Sequence, residues 1–212
     1  MPQTSASPAQ SRPKATVPPV SKREAARPSF DRNRPLVLDL DGTLVRRSLL
    51  LEGIASLLRR NALMVFPLIS WSLQGKAVLR KRVAERATLD ITRLAVNHAL
   101  VAYARAERAQ GREIALVTRL DERLARRVAR RFDFADRVIT GDNSDEDFHG
   151  EKRAERLREI FPHGFHYAGN SLLDLPVWRM ADHVIVAEAA RSVLRQVFFL
   201  GRPIKQLAAT AR

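Results

Sequence analysis

The stretch "PLVLDLDGTLV", Pro35 to Val45, sets an apolar, β-branched run directly before two aspartates one residue apart and then turns on Gly-Thr. Residues two apart in a strand point the same way, so Asp39 and Asp41 emerge together where the strand ends. Like charges so placed repel. They become tolerable when a divalent cation sits among oxygen ligands, a setting that suits Mg²⁺. Gly42 permits a tight turn that brings backbone N–H groups toward a bound anion. The stretch therefore reads as a cation and phosphoryl site at the exit of a buried strand, although a lone DxDGT string is equally at home on a surface turn.

The rest of the chain supplies the context. Apolar runs recur at "EIALVT" (113–118), "DRVIT" (136–140), "FHYAG" (165–169) and "HVIVA" (183–187), and with "LVLDL" (36–40) they read as strands buried on both faces. Between them lie helix candidates: "DERLARRVARRF" with Asp121 as its cap, the amphipathic "EKRAERLREIF", and "LLDLPVWRMA". Strands alternating with helices predict an α/β fold, a mostly parallel sheet between two helical layers, with ligands beyond the carboxyl ends of the strands.

The first two strands are separated by a much longer interval, in which helices are expected at about 48–60, 62–74, 76–87 and 91–110, the last closed by Gly111. This predicts a helical cap inserted at about 46–112 within a core spanning 33–190. Residues 1–32, rich in proline and poor in large apolar side chains, read as a disordered basic tail, and 191–212 as a basic C-terminal helix or tail. The most apolar run, "ALMVFPLISWSL" (62–73), contains Pro67 and is too short to cross a bilayer core of about 30 Å. No transmembrane segment is predicted.

Composition bounds the function classes. The 212 residues include no cysteine, which removes disulfides, thiol nucleophiles and cysteine-based metal sites and makes a cytoplasmic setting the simpler expectation. A formal charge of +14 favours phosphate-bearing partners, whether small molecules, anionic membranes or nucleic acid.

The other strand ends extend the first motif. Thr118 closes the second strand, Lys152 follows "HGE" at a helix start, and "GNSLLD" places Asn170 and Asp174 after the fourth strand. In this order the residues resemble the four-part pattern of the haloacid dehalogenase superfamily over about residues 34–190. The resemblance implies a Rossmann-like three-layer core with a cap and a Mg²⁺-dependent phosphohydrolase. Asp39 would be the nucleophile that becomes an aspartyl phosphate and Asp41 the general acid and base. Thr118 and Lys152 would bind the phosphoryl group together with Gly42 and Thr43 of the turn. Metal ligands would come from Asp39, the main-chain carbonyl of Asp41, and the fourth motif's Asn170 and Asp174. Relatives commonly carry Gly-Asp where this chain has Gly169-Asn170, which removes one negative charge and implies weaker Mg²⁺ affinity. A catalytically weak or inactive scaffold is the competing expectation.

More narrowly, "DLDGTLVRRSLLLEGIASLLRR", "HGEKRAERL" and "FHYAGNSLLDLPVWRMA" look like the soluble domain that precedes the membrane domain of some UbiA-type prenyltransferases. The resemblance implies a phosphorylated small molecule or lipid phosphate as substrate. The chain ends at Arg212, ahead of any such membrane domain, so a stand-alone version or a fragment is expected. Basic residues flank 62–73, which contains Phe66 and Trp71, a composition suited to peripheral contact with an anionic membrane at its inner face, or to a cap helix with a solvated basic side. Nucleic-acid binding is not expected, because the arginines of "RLARRVARR" fall on one helical face without a recognised nucleic-acid module. The five histidines lack metal-ligand spacing, with only His149 near the proposed site, and Trp178 is expected to be a packing anchor behind the fourth motif.

Overall fold

In the computed structural model, which describes residues 31–141 and 148–207, the run after Pro35 forms β1 (Leu36–Asp39), buried along its whole length. It pairs in parallel with β2 (Ile114–Thr118) on one side and β4 (His166–Gly169) on the other. β3 (Arg137–Thr140) lies beyond β2, β5 (His183–Ala187) beyond β4, and β6 (Ile204–Leu207) beyond β5. The order is β3-β2-β1-β4-β5-β6, and all of its pairings are parallel. The α/β expectation is met.

Two readings need correction. β6 was not expected within the C-terminal tail; α8 (Arg191–Phe198) is helical, but the chain then returns to the sheet. Only "IKQL" signals this strand, and its polar residues suit an edge that is largely exposed. β3 was expected to be buried on both faces. As the opposite edge it buries only Ile139, with Arg137 exposed and Val138 and Thr140 between. The tail assigned to 1–32 lies outside the described residues up to residue 30, as do 208–212.

Alternation along the strands builds the layers. Leu36, Leu38 and Leu116 pack on one side with α4 (His98–Ala109) and α5 (Glu122–Ala129) through Leu100, Ala104, Leu124 and Val128. Val37, Ala115 and Val117 pack on the other with α6 (Gly150–Ile160) and α7 (Leu175–Met180) through Ala154, Leu157, Val177 and Trp178. Asp121 caps α5 by accepting from the Arg123 N–H, and the arginines at 123, 126, 127 and 130 are exposed.

Between β1 and α4 stand α1 (Leu49–Arg60), α2 (Val65–Leu73) and α3 (Lys76–Arg86), joined around a separate cluster of Leu57, Leu68, Val83 and Ala87. α4 belongs to the main core, so the expected insertion divides into a three-helix cap and a core helix. Pro67 sits in the first turn of α2, where its missing N–H removes no helical bond. α1 and α3 approach closely at Gly53, where a Cβ would stand 2.5 Å from a methyl of Val83. Among the described residues no helix is long and apolar enough to cross a membrane.

Candidate active site

β1 delivers Asp39 to the sheet edge with 6% of its surface exposed. The chain then turns back through Gly42, at φ +95°, with hydrogen bonds from the Gly42 N–H to the Val45 carbonyl (2.8 Å) and from the Leu44 N–H to the Asp39 carbonyl (3.0 Å). Both carboxylate oxygens of Asp39 are engaged. Thr43 Oγ1 donates to Oδ2 at 2.7 Å and Arg153 Nη1 to Oδ1 at 2.8 Å. The same Nη1 reaches the Tyr167 hydroxyl at 3.1 Å, and that hydroxyl donates to Asp174 Oδ1 at 2.9 Å. Asp174 Oδ2 accepts from the N–H groups of Asn170 and Ser171 and from Ser171 Oγ, at 3.1, 3.0 and 3.0 Å. Asn170 Nδ2 donates to the Gly42 carbonyl at 2.7 Å, which ties the fourth motif to the first. Behind them Trp178 is fully buried and donates to the Tyr167 carbonyl, the packing role expected of it.

Burial pushes Asp39 up to about 7; Arg153 and the Thr43 hydroxyl offset part of that, while Asp174 and Asp41 add to it. Burial likewise raises Asp41, opposed by the Leu49 N–H and by Arg119 and Arg153. Leu49 is the first residue of α1, and its N–H donates to Asp41 Oδ1 at 2.7 Å. Tyr167 is held well above its ordinary value by burial and by Asp174, so it stays a phenol and a donor. Asp39, Asp41, Gly42, Arg119, Arg153 and Asn170 all line one cavity of about 210 Å³, which also touches His149 and Asp174.

The structure brings together Asp39, Asp41, Gly42, Asn170 and Asp174, and it redistributes several expected roles. Lys152 does not join them: it is exposed, and the next residue, Arg153, supplies the cation at Asp39. The helical period explains this, because α6 buries Arg153, Ala154 and Leu157 as one stripe that excludes position 152. Reading that stripe against Ala154 and Leu157 finds Arg153 from sequence. Thr43 spends its hydroxyl on Asp39, and the Gly42 N–H closes the turn instead of facing an anion. Thr118 is fully buried at the end of β2, where its hydroxyl accepts from the Leu120 N–H at 3.3 Å, and the next residue, Arg119, lines the cavity. Arg119, Arg153 and Tyr167 were missed by sequence reading.

A three-layer parallel α/β protein with an acid pair at the end of a central strand and a guanidinium on one of the carboxylates carries its candidate site where ligands of such sheets bind, beyond the carboxyl ends of the strands. The chain is a member of the haloacid dehalogenase-like hydrolase family, which it matches over residues 36–179. It is 29% identical over 157 residues to the uncharacterized protein y4nM of Sinorhizobium fredii, covering 74% of this chain and 30% of that one. The chain thus spans under a third of that relative. Among solved structures it resembles a protein of unknown function from Bordetella pertussis Tohama I, with a TM-score of 0.60 and 16% identity over 83% of this chain and 99% of that one. It also resembles a phosphoserine phosphatase in apo form, with a TM-score of 0.56 and 16% identity over 84% and 94%. At such identities the likeness is one of fold.

Proposed function

We propose that the protein hydrolyses phosphate esters of a small molecule or lipid through an aspartyl phosphate. The observation that carries this reading is the state of Asp39 and Arg153: a buried carboxylate held at both oxygens, beside a guanidinium that lines the same cavity. A guanidinium so placed can bind a phosphoryl group through charge-assisted hydrogen bonds. A carboxylate oxygen of Asp39 attacks phosphorus as the bond from phosphorus to the leaving oxygen breaks. Asp41, kept protonatable by burial, donates its proton to that oxygen. The Asp41 carboxylate then takes a proton from water, the new hydroxide attacks phosphorus, and phosphate departs with Asp39 regenerated. Arg153 offsets charge on the nucleophile and on the transferred group. The fold relationship to a phosphoserine phosphatase supports phosphate-ester chemistry.

The donor set fits a hard divalent cation. Asp39, Asp41 and Asn170 present oxygen donors to one cavity, where Asp174 and Asp41 add to the burial that raises Asp39. Mg²⁺ held by the Asp39 carboxylate, the Asp41 carbonyl and the Asn170 side-chain carbonyl would neutralise phosphoryl charge. Asp174 holds the Asn170–Ser171 loop through its Oδ2 and, like Asp39, has both oxygens in hydrogen bonds. Phosphate release from a panel of phosphate monoesters, with and without Mg²⁺, tests the reading; no release from any ester would remove it. Asn170→Asp restores a charged ligand and is expected to lower the half-maximal Mg²⁺ concentration about tenfold. An unchanged Mg²⁺ dependence would show that position 170 only shapes the loop.

Peripheral contact with an anionic membrane is a second reading, favoured by one observation. Leu63, Phe66, Ile69 and Leu73 are 67, 68, 54 and 84% exposed along α2 and the turn before it, with exposed Arg59, Arg60 and Lys76 at either end. Trp71, expected at the interface, instead packs in the cap cluster with the Arg86 guanidinium 5.0 Å from its ring centroid. Basic groups near an anionic surface contribute about 1 kcal/mol each. Co-sedimentation with anionic vesicles at low salt is expected, weakened by salt and by Phe66→Ser with Leu73→Ser. Equal recovery with neutral vesicles would exclude it.

A further inference from the structure

Arg153 has two buried carboxylates within reach and sits on one of them. Its Nη1 is 2.8 Å from Asp39 Oδ1 and 3.9 Å from Asp174 Oδ1. The Tyr167 hydroxyl stands between the guanidinium and the second acid, accepting from Nη1 at 3.1 Å and donating to Asp174 Oδ1 at 2.9 Å. The Phe148 ring closes a further side, its centroid 5.7 Å from the guanidinium carbon. Tyr167 is itself fixed. Its side chain is fully buried in the core cluster that includes Trp178, Val177 and Ala154, and its carbonyl accepts from the Trp178 indole at 3.3 Å.

We infer that Tyr167 is a positioning residue: its hydroxyl satisfies Asp174 in place of Arg153 and so keeps the guanidinium on Asp39, where the phosphoryl group is transferred. The catalytic consequence rests on the phosphohydrolase reading, whereas the placement of Arg153 rests on the geometry alone. A phenol carries no charge at neutral pH and can accept from a cation while donating to a carboxylate. Asp174 Oδ2 is held by the Asn170 and Ser171 N–H groups and by Ser171 Oγ, and Oδ1 takes its hydrogen bond from Tyr167. Without that hydroxyl a buried carboxylate oxygen would lose its donor, at a cost greater than that of an exposed one. Arg153 Nη1 stands next to it, and a shift of about 1 Å would bring it to the distance of a charge-assisted hydrogen bond. The guanidinium would then be shared between two acids instead of being spent on the nucleophile and the transferred group. The ring needs no hydroxyl to keep its place, since its core neighbours Trp178, Val177 and Ala154 are apolar.

The test uses the full chain with Mg²⁺, p-nitrophenyl phosphate as the probe, and Tyr167→Phe, which removes the hydroxyl and keeps the ring. We expect kcat to fall at least tenfold with KM within about threefold, because the displaced charge acts chiefly on the transition state. Tm should not fall, because a direct pair between Arg153 and Asp174 takes the place of the two lost bonds. In a crystal structure of the variant, Nη1 should lie within about 3.2 Å of Asp174 Oδ1, with its contact to Asp39 lengthened. Asp174→Asn should lower kcat by a smaller factor in the Tyr167→Phe protein than in the parent, since it weakens the competing attraction. A lower Tm with kcat unchanged, equal factors for Asp174→Asn in both proteins, or an insoluble variant marks the hydroxyl as merely structural and overturns the proposal. If the parent releases no phosphate, the hydrolytic reading fails and the crystal structure decides the placement alone: Nη1 moved onto Asp174 upholds it, and Nη1 unmoved from Asp39 overturns it.

Discussion

Asp39→Asn protein is expected to fold and to lose phosphate release by roughly 10⁴-fold or more, as removal of a covalent nucleophile does elsewhere. The amide keeps an oxygen for Arg153 and can donate to Thr43 Oγ1, so the local bonds survive. Stability shifts in a defined direction. Because Asp39 titrates near 7 in the fold against an ordinary 3.8, its contribution is fully present below 3.8 and is lost as pH rises through 7. In divalent-free buffer the parent should therefore lose stability over that window, and the Asn variant should lose less. Thermal unfolding across pH 4 to 8 with phosphate-release assays checks both parts. Turnover equal to that of the parent would remove Asp39 from the mechanism.

Arg153→Met should damage both stability and rate. It keeps most of the side-chain volume but leaves Asp39, 2.8 Å from the lost Nη1, and Asp174, 3.9 Å from it, without their shared cation. Breaking a buried pair from one side costs about 3 to 5 kcal/mol. Removing the cation also raises Asp39 beyond about 7, so the acid limb of kcat/KM should move to higher pH, a change that a merely structural role would not produce. Lys152→Met, by contrast, should leave rate and pH profile close to those of the parent. A larger loss at 152 than at 153 would reverse the assignment.

The contrast between neighbouring positions shows what the sequence makes legible. Strands β1, β2, β4 and β5 announce themselves because they are buried and mostly apolar, and the acid pair because two carboxylates at a strand exit call for a partner. β6 was missed because its outward side chains, Lys205 and Gln206 among them, follow the solvent and not a core. Lys152 and Arg153 are both cationic, and only the facing of α6 separates them, with Arg153 buried on the same stripe as Ala154 and Leu157. Gly42 and Thr43 were assigned to substrate because composition identifies a turn without saying which of its donors the turn itself consumes. Arg119 left no signal of its own: a basic residue after a buried strand is ordinary until the fold sets it on the wall of the cavity that holds Asp39.

The bond from the Leu49 N–H to Asp41 closes the seven-residue segment 42–48 between the acid and the first turn of α1. A segment tied at both ends has a fixed length. One residue gained or lost there would carry the helix start away from the carboxylate, whatever that residue was, whereas the join between α2 and α3 at Gln74 and Gly75 bears no tie to Asp39 or Asp41. A changed count between 41 and 49 is therefore expected to displace Asp41 from its donor, whereas added residues at the second join are expected to reshape the cap and leave the acid pair in place.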